Sequence, residues 1–231
     1  MPESSAGGAV GALAFDVYGT LVDPIRVWTR LQEYVPEHAQ RIAELWRQKQ
    51  LEYSFRLTVM ERYQDFEWVT ARALEFALAT TGAAPGPERV ASLLAQYDDL
   101  EPFPDVVAGL EALKRLGLPM VVFSNGSPRM LAAILASSGL AGFFDDVVSV
   151  HDVGAFKPSP RVYEHLLTRL GRAAGEVVLV SSNAFDVIGA EAVGLRPAWV
   201  NRAGAPFDPI AAPPPLVVKS LGDLAERLQA G

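Results

Sequence analysis

The sequence predicts an α/β protein, a doubly wound parallel sheet with an inserted helical cap. Three observations lead there. Short apolar runs ending in small or polar residues occur at Val10 to Phe15, Pro119 to Phe123, Val177 to Val180 and Pro197 to Val200, a length that suits strands buried on both faces. Stretches of helical period separate the later runs, as in sheets built from strand–helix–strand units. A long segment after the first run, residues 25–100, holds no strand-like run.

Taken in order, the first run delivers the chain to Asp16 in "ALAFDVYGTLVDP". A carboxylate at the end of a buried strand is costly unless something uses it. The strandless segment that follows is rich in helix formers, and Leu45, Leu51, Phe55, Val59, Tyr63 and Phe66 recur at helical spacing. An insert at this point hangs over the carboxyl edge of the sheet, where ligands bind in doubly wound folds. The chain therefore divides into a core of residues 9–23 and 101–231 and a cap of residues 24–100.

Beyond the cap, Pro104 to Leu116 places Val106, Val107, Leu110, Leu113 and Leu116 on one helical stripe. Pro128 to Gly139, Pro160 to Gly171 and Phe185 to Gly194 read as further helices, and Gly117, Gly139, Gly171 and Gly194 stand where C-terminal caps belong. The prolines of "RAGAPFDPIAAPPP", residues 202–215, favour an extended surface connection with no assigned chemistry. Leu216 to Val218 and a last helix complete the core.

Composition narrows the function. Half of the 231 residues are hydrophobic and a fifth are charged, as in ordinary globular domains. A formal charge of -7 without lysine or arginine runs gives no footprint for nucleic acid. The absence of cysteine excludes disulfides, thiol catalysis and cysteine-based zinc sites. "MPESSAGG" lacks the basic and apolar regions of a secretory signal, and no apolar stretch approaches the roughly 18 residues of a membrane span. A cytoplasmic protein with no nucleic-acid or membrane partner is expected.

In a parallel sheet, polar residues that end strands converge on one edge. These are Asp16 after the first run, Ser124 and Asn125 after the second, and Ser181, Ser182, Asn183 and Asp186 after the third; Lys157 in "FKPSPRVY" precedes a helix. In this order, with a cap after the first strand, they resemble the haloacid dehalogenase superfamily over about residues 10–202. Most of that superfamily consists of magnesium-dependent phosphatases, whose first motif is similar to Asp-x-Asp-x-Thr and whose fourth is similar to Gly-Asp-x-x-x-Asp. Here Tyr18 replaces the second aspartate of the first motif, and Ser182 replaces the first acid of the fourth. A phenol with pKa near 10 is a poor acid at neutral pH, but a halide leaving group needs no proton.

Both departures point to the L-2-haloacid dehalogenases, which "FDVYGTL", "LWRQKQLEY", "SNGSP", "KPSPRVY" and "SSNAFD" closely resemble. The resemblance implies a Rossmann-like core, a small 2-haloacid substrate, no cofactor, no metal and a homodimer. Asp16 would be the nucleophile, displacing halide with inversion to form an ester that water then hydrolyses. Lys157 would keep Asp16 ionised, Thr20 and Ser181 would orient it, and Arg47 would receive the halide beside Asn125, with Phe185 lining that pocket. Ser124 and the backbone N–H groups of Val17, Tyr18 and Asn125 would hold the substrate carboxylate. Asn183 and Asp186 would position the hydrolytic water, and Tyr163 completes the catalytic set. His38, His151 and His165 match no motif and are read as structural or solvated. A magnesium-dependent phosphatase is the alternative.

Overall fold

The computed structural model describes residues 9–230. Six parallel strands form one sheet: β1 (Ala12–Phe15), β2 (Met120–Ser124), β3 (Asp146–Ser149), β4 (Val177–Ser181), β5 (Arg196–Val200) and β6 (Leu216–Val218), in the order β3-β2-β1-β4-β5-β6. β1, β2 and β4 are buried along their whole length, which is why their sequences read as unbroken apolar runs rather than alternating ones. Burying one such side chain, Phe15 for example, contributes about 1.5–3 kcal/mol.

The topology fixes where ligands can bind. From β1 the chain winds outward through β2 to β3, then crosses back to β4 on the other side of β1. The β1/β4 boundary is therefore the point where the winding direction reverses, and in open α/β sheets the crevice outside the strand ends opens there. Phe15 is in register with Val122 and Val180, and Asp16 N donates to Val180 O at 3.0 Å. Asp16 thus takes one further step of the ladder and stands at that boundary.

Between β1 and the next core helix the chain is helical: α1 (Val27–Tyr34), α2 (Ala39–Val59), α3 (Phe66–Thr81) and α4 (Pro87–Ala95), linked by short turns. The core helices are α5 (Val106–Lys114), α6 (Pro128–Ser137), α7 (Pro160–Leu170), α8 (Ala184–Ala192) and α9 (Leu221–Ala230). Close approach replaces side chains in two places. A Cβ on Gly109 would lie 2.3 Å from Leu221 Cβ, so α5 and α9 meet backbone to side chain. One on Gly189 would lie 2.5 Å from the Tyr163 hydroxyl, so α8 can press against α7 only at a glycine.

Several expectations need correction. The first strand begins at Ala12, because the Val10–Gly11 step serves the turn from Glu176, whose carbonyl accepts Gly11 N. β3 was not expected: "DVVS" has only two apolar residues, and this edge strand pairs with β2 alone, leaving Val147 40% exposed. The row from Leu45 to Phe66, expected as helical, runs across two helices and the turn between them. α2 stops at Val59, which is 84% exposed, and α3 starts afresh after Asp65, whose side chain accepts Trp68 N at 2.8 Å as an N-cap. Val107 faces outward at 45% exposure, so the α5 stripe is Val106, Leu110 and Leu113. The four glycines expected as C-terminal caps all have positive φ.

Candidate active site

The site is built around Asp16. Its side chain is 9% exposed, and its two oxygens have different surroundings. Oδ2 accepts from Thr20 Oγ1 at 2.8 Å, from Asn183 Nδ2 at 2.7 Å and from Ser181 Oγ at 3.5 Å. Oδ1 accepts from Lys157 Nζ at 3.3 Å. Both hydroxyls are themselves fixed by backbone from the end of β4: Ser182 N donates to Thr20 Oγ1 at 2.9 Å and Asn183 N to Ser181 Oγ at 3.1 Å. A hydroxyl has a single proton to give, so occupying its lone pairs directs that proton to Asp16. Gly19 gives the turn after Asp16 its room: its φ is +93°, and a Cβ there would meet the Asn183 amide at 3.4 Å.

Lys157 is the buried cation of the site, its side chain 1% exposed. Nζ donates to Asp186 Oδ2 at 2.8 Å, to Phe123 O at 2.8 Å and to Asp16, and lies 4.2 Å from the Phe123 ring centroid. Asn125 Oδ1 holds the lysine's own N–H at 3.0 Å. Asp186 is fully buried, and its Oδ1 accepts the Tyr163 hydroxyl at 2.8 Å. Burial is the largest influence on Asp186 and pushes its carboxyl up; Lys157 pulls it down, Asp16 pushes it up, and the result is raised. Burial likewise pushes the Tyr163 phenol well above its usual range, the charge of Asp186 adding to it, so Tyr163 stays a neutral donor.

From the helical segment, α2 brings Arg47 onto the same edge. Its three hydrogen bonds go to neutral oxygens: Gln50 Oε1 at 2.8 Å, Tyr18 O at 3.2 Å and Asn183 Oδ1 at 3.4 Å. Burial pulls the guanidinium below its usual value, with Tyr97, Asp16 and Tyr18 opposing the shift. A desolvated cation held by neutral acceptors retains an uncompensated charge, which suits it to receive an anion. Gln50 is itself buried and anchored by donating to Thr70 Oγ1 at 2.7 Å. Asn183 joins the two halves, donating to Asp16 while accepting from Arg47.

Tyr18 turns its side chain away into an aromatic cluster, with Phe66 and Tyr97 at ring distances of 5.7 and 6.1 Å. Its hydroxyl is buried without a hydrogen-bond partner, and burial drives the phenol well above its usual range. It contributes to the site through its carbonyl, which accepts from Arg47 and from Asn183 Nδ2 at 3.1 Å.

The structure thus brings Asp16, Thr20, Arg47, Lys157, Tyr163, Ser181, Asn183 and Asp186 into one hydrogen-bonded network, with Asn125 at its side. Ser124 is fully buried at the end of β2, its Oγ accepting Gly126 N at 3.2 Å. Val17 follows Asp16 directly, and its carbonyl closes the turn by accepting from Thr20, Leu21 and Val22. Phe185 is half-buried against Phe55 of α2, centroids 5.3 Å apart. His151 bonds instead with Tyr63, and His165 faces Asp152.

Three contributors were not singled out from sequence. Gln50 lies inside "LWRQKQLEY", one helical turn beyond Arg47, and that spacing is the signal that could have found it. The Phe123 carbonyl carries no signal, since any residue supplies one. Arg202 lies in the segment given no chemistry, yet its Nη1 donates to Ser182 Oγ at 3.1 Å.

Magnesium does not fit this donor set. Among the described residues no group of three or more His, Asp or Glu side chains is placed to hold a metal. The two site carboxylates share an ammonium, and Ser182, at the position of a metal-binding acid in the resembling phosphatases, faces a guanidinium.

Fold and site together define an α/β protein of the doubly wound class, with a carboxylate–lysine–carboxylate centre at the switch point of its sheet. The chain belongs to the haloacid dehalogenase-like hydrolase family, whose pattern matches residues 10–194. It is 37% identical to an (S)-2-haloacid dehalogenase of Pseudomonas putida over 95% of this chain and 98% of the relative. It is 39% identical to an (S)-2-haloacid dehalogenase of Burkholderia cepacia over 92% of each. Among solved structures it is similar to the L-2-haloacid dehalogenase of Xanthobacter autotrophicus with chloropropionic acid covalently bound, at 37% identity and a TM-score of 0.88, covering 96% of this chain and 99% of that one.

The buried triad makes a stability prediction. A carboxyl whose folded-state pKa lies above its unfolded value holds its proton better when folded. In its ionised form it therefore costs stability at pH values above the unfolded pKa, and the cost disappears below it. Asp186 is such a group, and removing Lys157 enlarges the cost. Lys157→Met should lose about 3–5 kcal/mol near pH 7 relative to the unsubstituted chain. The deficit should be smaller at about pH 5 than near pH 7, because the raised Asp186 carboxyl gains its proton more readily as pH falls. Urea unfolding at both pH values checks this, and an equal deficit at both would contradict it.

Proposed function

We propose that this protein is an (S)-2-haloacid dehalogenase, converting short (S)-2-haloalkanoic acids to (R)-2-hydroxyalkanoic acids. The observation that carries this reading is the pairing of a carboxylate restrained through one oxygen with a cation that has no carboxylate partner. Three donors hold Asp16 Oδ2, while Oδ1 takes a single bond, from Lys157 at 3.3 Å. Oδ1 therefore keeps lone pairs with which to attack.

In the first step Asp16 Oδ1 forms a bond to C2 as the carbon–halogen bond breaks, and the halide leaves with the bonding pair toward Arg47. Attack from the face opposite the halogen inverts the centre. No proton is required, which accounts for Tyr18: its phenol is buried, turned away and far too weak an acid to assist. Ser124 and the N–H groups of Val17, Tyr18 and Asn125 hold the substrate carboxylate, and Phe185 lines the halide side. In the second step water attacks the Asp16 carbonyl carbon, positioned by Asn183 and relieved of a proton by Asp186. The alkoxide that leaves takes up a proton as the 2-hydroxyacid. The balance is haloacid plus water giving hydroxyacid, halide and a proton. Tyr163 and Lys157 hold Asp186 for this role.

The helical segment 24–100 acts as a cap on a core of residues 9–23 and 101–231, supplying the halide receptor while the core supplies the nucleophile. The reaction runs without a cofactor, in the cytoplasm. A homodimer forms through the outer face of α2 and α3, where Met60, Trp68 and Phe76 are 55%, 42% and 40% exposed along an open groove of about 580 Å³. Exposed apolar surface of this kind marks an interaction site more often than bare surface.

Chloride release from (S)- and (R)-2-chloropropionate, assayed separately in EDTA, tests the function. Release from the S form alone, giving R-lactate and abolished by Asp16→Asn, is expected; metal-dependent phosphate release from monoesters without dehalogenation would overturn it. Size-exclusion chromatography with light scattering should give a dimer at micromolar concentration, and a monomer would refute that interface.

A further inference from the structure

Beside the site lies a charged group that the chemistry above does not use. Arg202 follows β5, and its guanidinium is held on three sides. Nε and Nη2 donate to the two oxygens of Asp105 at 2.7 and 3.1 Å, Nη1 donates to Ser182 Oγ at 3.1 Å, and its plane lies 4.4 Å from the Phe103 ring centroid. Asp105 is anchored in turn by Leu221 N at 2.9 Å. Burial pushes the Asp105 carboxyl up, but the Arg202 bonds and the Leu221 N–H outweigh it and hold the group below the usual carboxylate range. The pair is about four-fifths buried, where a bidentate guanidinium–carboxylate contact is directional and strong.

The bond from Arg202 to Ser182 connects this strut to the nucleophile. Ser182 is the residue whose N–H donates to Thr20 Oγ1, and Thr20 donates to Asp16 Oδ2. Ser182 is gripped at two other points, its Oγ by Arg202 and its carbonyl by Trp199 Nε1 at 3.2 Å. If the Ser182 peptide turns, its N–H leaves Thr20, and the Thr20 proton loses the constraint that directs it to Asp16. Asp105, at the entrance to α5, and Arg202, beyond β5, thereby set the angle of a carboxylate neither one touches.

We propose that Arg202 is a positioning residue for the reaction, acting through Ser182 and Thr20 to fix the attack geometry of Asp16. This rests on the function proposed above. In this fold the place of a metal-binding acid is taken by Ser182, and the guanidinium orders the strand end there. Displacing a nucleophile by a fraction of an ångström costs rate rather than affinity, so the signature is in kcat.

Arg202→Met, Arg202→Lys and Ser182→Ala are compared on (S)-2-chloropropionate, with amide hydrogen exchange at Ser182 followed by NMR in each. Ser182→Ala severs only the link, leaving the Asp105–Arg202 pair intact, and so separates positioning from strut. The expected result is a fall in kcat of about tenfold for Arg202→Met and several-fold for Ser182→Ala, with KM within about twofold. Partial recovery in Arg202→Lys and faster exchange at residue 182 in both disabled variants are also expected. Unchanged kcat and unchanged exchange in well-folded Ser182→Ala would overturn the proposal, whatever Arg202→Met does to melting. Should the unsubstituted protein release no halide, the dehalogenase reading fails instead; the exchange data then still decide whether Arg202 holds the Ser182 N–H.

Discussion

The rest of the site depends on the Lys157 ammonium held between Asp16 and Asp186. Two carboxylates this deep in a protein cost several kcal/mol each in lost hydration, and one lysine serves both. The contact can form only if three separate stretches of chain arrive together: the end of β1 with Asp16, the loop before α7 with Lys157, and the first turn of α8 with Asp186. The parallel register of β1 with β2 and β4 brings them there. Tyr163 adds a donor on the far side of Asp186, and the close passage of α8 at Gly189 brings that hydroxyl within reach.

The helical segment completes what the sheet edge begins. A carboxylate nucleophile surrounded by its own donors has no means of stabilising a departing anion. In the proposed reaction Arg47 provides one: α2 carries it over the strand ends and Gln50 steers it without neutralising it. Asn183 faces both partners, donating to the carboxylate and accepting from the guanidinium, so its amide fixes their separation. Tyr18 fits the same chemistry. With a halide as leaving group the position two residues after Asp16 needs no acid in the proposed reaction, and the Tyr18 side chain is free to pack with Phe66 and Tyr97.

Much of this was legible in the sequence because a parallel sheet converts linear order into a shared edge. Asp16, Ser124, Ser181 and Asn183 each follow an apolar run, and wherever such runs pair in parallel their ends meet. Lys157 was legible from its place just before a helix, whereas Arg47 was legible only through the resemblance, since it terminates no strand. What could not be read has physical reasons. β3 escaped notice because an edge strand need bury only one of its faces. The break between α2 and α3 was hidden because apolar residues near a helix end keep the helical spacing whether or not they are buried, and Val59 is not. Arg202 escaped because its partner Asp105 lies 97 positions away in sequence, a pairing set by tertiary structure that no local pattern encodes.

In the proposed reaction Asp16 itself carries the substrate as an ester, and water attacks the Asp16 carbonyl carbon rather than C2. A single turnover with excess enzyme in water labelled with heavy oxygen, followed by mass spectrometry of the product and of the peptide containing Asp16, tests it most directly. The heavy oxygen should enter Asp16, while the first hydroxyacid formed carries the carboxylate's original oxygen. Heavy oxygen in that first product, with none in the Asp16 peptide, would mean that water displaces the halide directly and that no Asp16 ester forms.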